Sequence, residues 1–264
     1  MKRVFLIFHS LKEPGYGRIT KAILGRSSSC LWNTTLSHHR KFIKRQGQYL
    51  DRGILHDANL YFWGEYEPES NYIINSSITP KAVHSSLTSV RHTAVPTNAL
   101  NTDPYVFGEH FKHICCRMGK KVYHPGDVLL FGNVENQSSP NYFFLDTVFV
   151  IKEKVLIDYS LNMTQYYKAA IEPLLHFGKD SFYRGEEYHP GKPYYSFVPC
   201  RLVSSPQPSP AYARINASAL GFTIKKCWYG WTAASIPFSN RHWKMIQKEV
   251  LSSGWLIGTH IDKI

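Results

Sequence analysis

The chain has 264 residues, 43% hydrophobic and 19% charged, a balance that excludes a disordered tail, a fibre and a disulfide-dense miniprotein. Its 31 Lys and Arg against 19 Asp and Glu give a formal charge of +12 at pH 7, which makes a polyanion the leading expectation for a partner. The five cysteines (Cys30, Cys115, Cys116, Cys200, Cys227) are odd in number, scattered and without C-x-x-C spacing, and no run approaches the roughly 18 apolar residues of a membrane helix, so a cytoplasmic protein with no membrane contact is expected.

In chain order, Arg3 to Phe8 reads as a strand, too short in its apolar run for a secretory segment. A glycine loop at Pro14-Gly15-Tyr16-Gly17 and a short helix from Arg18 to Leu24 follow, a weak echo of a phosphate-binding turn in which Thr20 replaces the last glycine. Residues 27–50 read as a polar, basic loop region. Residues 1–60 hold eleven basic and three acidic side chains. The densest piece, His38 to Arg45, has Phe42 and Ile43 to anchor a short basic helix or hairpin, with Arg40, Lys41, Lys44 and Arg45 as candidate phosphate contacts. The alternative is a solvated basic face. Leu60 to Trp63 is a strand candidate running into Glu65, Glu67 and Glu69, which would point to one side if the chain is extended. Carboxylates so placed suit acid–base chemistry, a divalent cation or a base edge; a surface turn paired with the basic segment is the plain reading.

Residues 71–101 read as a long irregular excursion. In the stretch Glu109 to Cys116, a helix would bring Glu109, His113 and Cys116 to one face, which permits a zinc or iron site, with His110 and Cys115 beside them; buried thiols and solvated histidines explain the stretch more simply, so no metal or other cofactor is expected. After the turn His124 to Asp127 come strands at Val128 to Gly132 and Tyr142 to Val150, the second interrupted by Asp146, either a structural cap or an active-site carboxylate. A helix is expected near Tyr166 to Leu175. Phe182 to Gly191, with Tyr183 and Arg184, has the composition of a recognition loop or of an exposed turn. Tyr194 to Pro199 reads as a strand. Lys225, Lys226 and Trp228 form a second cation–ring cluster. The C-terminal unit is a helix from Arg241 to Leu251, capped by Ser239 or Asn240 and striped with Trp243, Ile246, Val250 and Leu251, then a strand from Trp255 to Ile261.

Pro125-Gly126-Asp127-Val128-Leu129-Leu130-Phe131-Gly132 followed by Phe144 to Val150 resembles the central hairpin of the PUA-like superfamily, the small barrels that include ASCH, EVE and YTH domains. That resemblance covers some 30 residues and implies a pocket for RNA or a modified base. Together these readings give an α+β fold, mainly antiparallel, with a barrel-like centre, peripheral helices and long loops. They suggest one composite domain over 1–264, or lobes 1–203 and 211–264 divided by the Pro/Ser loop 204–210. The expected function is nucleic-acid or nucleotide binding near Trp63, Glu65 and the Tyr183 loop. The rivals are an enzyme on such substrates using Glu65, Glu67 and Asp146, and an interaction module for an acidic protein.

Overall fold

The structure, a computed structural model, describes residues 1–8, 40–65, 72–75, 77–78, 82–84, 104–107, 111–113, 122–134, 142–157, 180–206, 212–223 and 235–262. Thirteen strands and one helix lie among them: β1 (Arg3–Phe8), β2 (Arg40–Asp51), β3 (Ile54–Glu65), β4 (Tyr72–Ile74), β5 (Ala82–His84), β6 (Lys112–His113), β7 (Val128–Val134), β8 (Tyr142–Leu156), β9 (Ser181–Gly185), β10 (Val198–Leu202), β11 (Arg214–Asn216), β12 (Ser235–Pro237), α1 (Asn240–Ser252) and β13 (Leu256–Ile261). The glycine loop at 14–17 and the helices expected at 18–24 and 166–175 fall outside the described residues.

Strands make up 55% of what is described and helix 9%, and the strands form two mixed sheets rather than closing into a barrel, which overturns the expected α+β class with a barrel-like centre and peripheral helices. One sheet runs β12–β1–β7–β8–β9–β6, with β11 also on β8; the other runs β13–β10–β3–β2–β5–β4, with β13 also on β2. Two pairings, β1 with β7 and β2 with β5, are parallel, and this is what makes each sheet mixed.

Alternation explains how the strands serve two cores. Val4 and Leu6 enter one cluster and Phe5 the other; in β8, Val148 and Val150 enter the first, Phe149 and Ile151 the second. Leu145 to Ile151 are therefore buried without interruption, as expected of a strand covered on both faces. The first cluster also takes Phe42, Tyr61 and Trp63 from the other sheet and Trp243, Ile246 and Val250 from α1. Leu251, expected in that helical stripe, is instead 49% exposed.

Residues 40–50, expected within a polar, basic loop region, belong to β2, and the described part of the segment expected as a basic helix or hairpin, Arg40 to Arg45, is its first half. β2 pairs with β3 along its whole length, from Arg40 opposite Glu65 to Asp51 opposite Ile54. Only Arg52 and Gly53 remain to turn the chain, with φ of 49° and 84°, the left-handed pair that a two-residue hairpin loop of right-handed twist requires. Two further expected loops hold strands: β4 and β5 inside 71–101, and β9 inside the Tyr183 segment. β13 lies against both β10 and β2, and β12 against β1, so strands from before and after residues 204–210 share both sheets.

Candidate nucleic-acid interface

Register decides which side chains meet around the basic strand. Phe42 faces Trp63 and Lys44 faces Tyr61 across β2 and β3, while Tyr61 faces Arg201 on β10. Paired residues share a face, so Arg201, Tyr61 and Lys44 form a row across three strands, with Phe42 and Trp63 beside it. The Arg201 guanidinium is buried over two rings, 5.1 Å from the Phe42 centroid and 5.2 Å from that of Tyr61. Phe42 stacks on Tyr61 at 5.1 Å and meets Trp63 at 5.1 Å. All three rings are buried, so Trp63 is part of the core wall. Lys44 is exposed at the end of the row, and Arg45, one residue on, lies on the opposite face, half-buried. Arg40 and Lys41 open β2, and Glu65 closes β3 opposite Arg40 in register. Glu67, Glu69, Lys225, Lys226 and Trp228 lie outside the described residues.

Tyr183 and Arg184 sit on β9, not on a free loop. The Tyr183 hydroxyl accepts the Tyr123 N–H at 3.2 Å, and its ring stacks on that of His113. Arg184 donates to Glu153 at 2.9 Å, across the strand pair β8–β9. His113 is on β6, buried among Tyr123, Phe131, Phe149 and Tyr183, so the helix that would have set it beside Glu109 and Cys116 does not form there. Glu109, His110, Cys115 and Cys116 are outside the described residues, and among the described ones no group of three His, Cys, Asp or Glu could hold a metal.

Asp146 has a backbone reason for its place. Phe131 pairs with Thr147 and Gly132 with Leu145, which leaves Asp146 as the extra residue of a β-bulge, its side chain buried. Gly132 is required opposite: a Cβ there would lie 1.7 Å from the Phe144 carbonyl oxygen. In the same core, the pKa of the Tyr195 hydroxyl is pushed up to about 12 by burial, then by Tyr188, against the opposing hydrogen bond that Gln247 donates at 2.8 Å.

Charge is the property these elements share at the surface. Lys44, Lys152, Lys154, Arg241, Lys244 and Lys248 are exposed and hold no carboxylate among the described residues. Lys152 and Lys154 alternate outward on the far end of β8. Arg241, Lys244 and Lys248 are absent from the expected site because the apolar stripe dominates the helical pattern; their own spacing of three and four is the signal that marks them. No helix among the described residues is long and apolar enough to cross a membrane. No protein-family model matches the chain, and neither curated proteins nor solved structures give a significant match to it.

Proposed function

We propose that this protein binds nucleic acid through its phosphate backbone, with Lys44 and Arg45 of β2, flanked by Arg40 and Lys41, among the contacts. The observation that carries the reading is a group of exposed cations without carboxylate partners among the described residues, Lys44, Lys152, Lys154, Arg241, Lys244 and Lys248 among them, in a chain whose formal charge is +12. Cations placed to stabilise a fold are commonly neutralised by neighbouring acids; cations left open on a strongly basic chain create the field that recruits and holds a polyanion. The backbone of β2 is fixed by pairing on both edges, to β3 and to β13 and β5, so the basic residues ride on a rigid strand. Rings buried beneath that strand leave phosphate contact, rather than base stacking on Trp63, as its contribution.

Binding of labelled single- and double-stranded DNA and RNA across a salt series tests the proposal. A steep fall of log affinity with log salt, made shallower when Arg40, Lys41, Lys44 and Arg45 are all changed to Ala, is the expected result; on duplex DNA the slope should change by about 0.9 for each phosphate that is no longer neutralised. Flat or absent binding to every form would overturn it.

A further inference from the structure

We infer that the outer face of α1 is a phosphate track, on which Arg241, Lys244 and Lys248 contact consecutive phosphates of one nucleic-acid strand. The inference rests on the nucleic-acid reading and gives it a second surface. At about 100° per residue these three side chains fall within about 60° of one another, and Trp243, Ile246 and Val250, which fix the helix to the core, point the opposite way. All three cations are exposed and none meets a carboxylate among the described residues.

Helix energetics argue against a purely structural role. Lys244 and Lys248 are four apart and Arg241 and Lys244 three apart, so the stripe repels itself along its whole length. Arg241 also lies in the first turn, where no acidic residue is present and where the partial positive charge of the helix N-terminus opposes a cation. A sequence chosen for helix stability alone would place acids there. An external polyanion removes both penalties at once.

Dimensions fit the same ligand. From Arg241 to Lys248 the helix rises about 10 Å at about 1.5 Å per residue, enough to span three consecutive phosphates of one strand, which cover about 7 Å of axial rise. Two half-buried rings, Tyr194 and Phe238, pack near the first turns of the helix on its core side. Tyr194 meets Phe238 at 4.9 Å and Trp243 at 5.5 Å, and the exposed Lys2 ammonium lies 5.6 Å from the Tyr194 centroid. Phe238 is held there by its N–H donating to the Lys2 carbonyl at 2.8 Å.

The test is the salt dependence of binding by R241A/K244A/K248A beside wild type, on duplex and single-stranded DNA and RNA. Alanine favours helix and the three sites are exposed, so the variant keeps α1; circular dichroism checks this, and R241Q/K244Q/K248Q serves if it does not. The expected result is a slope shallower by about 2.7 on duplex DNA or about 2.1 on single strands, with affinity down at least about tenfold near 0.15 M salt. An unchanged slope in a variant whose wild type binds steeply overturns the track and leaves the β2 reading standing. No binding by wild type to any form overturns both. A loss of binding to vesicles rich in phosphatidylserine, with nucleic-acid binding intact, would assign the stripe to lipid headgroups and overturn the inference.

Discussion

The carboxylate of Asp127 shows how much structure one short side chain can fix. Its Oδ1 accepts the Arg3 N–H at 2.8 Å and its Oδ2 accepts the His124 N–H at 2.9 Å, so it ties the turn before β7 to the start of β1 while itself buried. Replacing Asp127 by Ala leaves two amides without their acceptor and should lower unfolding free energy by about 2 kcal/mol or more, whereas Asn, which keeps one oxygen, should lose about half of that; urea denaturation measures both. His242 makes a pH-dependent counterpart. Its Nδ1 accepts the Ser239 N–H at 3.1 Å and lies 3.0 Å from the Ser239 hydroxyl, in the position a Glu or Gln takes in a capping box. Partial burial, then the neighbouring Arg241, lower its pKa from 6.5. The folded state thus disfavours the imidazolium, so this contribution is complete above pH 6.5 and declines as pH falls through that value. Denaturation midpoints should fall more between about pH 7.5 and 5.5 for wild type than for His242→Gln.

At the level of elements, α1 sets two demands against each other. Arg241→Glu should stabilise the protein by about 0.3–1 kcal/mol, because an acid in the first turn suits the helix dipole and pairs with Lys244 three residues on. The same change should weaken nucleic-acid binding, and thermal unfolding and anisotropy titration read the two effects with opposite signs. Elements also show where sequence patterns suffice. β1, β7, the first part of β8 and α1 are legible because their apolar residues recur at the periods that one or two buried faces impose. β4, β5 and β6 are short and carry no such pattern; Lys112 and His113 become a strand because β9 offers them a ladder, which is a tertiary cause. β2 is hard to read because its cations hide an alternation that emerges only once Phe42 and Ile43 are assigned to opposite clusters. Among site residues, Lys44 is legible as an open cation, but the burial of Trp63 and the partner of Arg184 depend on strands far along the chain.

The whole molecule is held together by contacts between distant parts of the chain. Cys200 lies where several of them meet, on β10 between β3 and β13, with no exposure, and burial raises its thiol well above the ordinary range. Alkylation of native protein should leave the Cys200 peptide unmodified, and denaturant should expose it, so mass spectrometry of that peptide reports global opening. The place of β13 carries a consequence for synthesis in the cell. Leu50 is paired with Ile257, and β10 with the same strand, so one edge of β2 lacks its neighbour while the intervening 200 or so residues are translated, a wait of about 10–40 s at about 5–20 residues per second. During that interval a nascent chain presents the unpaired edge of Gly47 to Leu50, on the same strand as the basic residues, beside the ribosome, itself a polyanion, and the arrival of residues 256–261 from the exit tunnel withdraws that edge from competing partners.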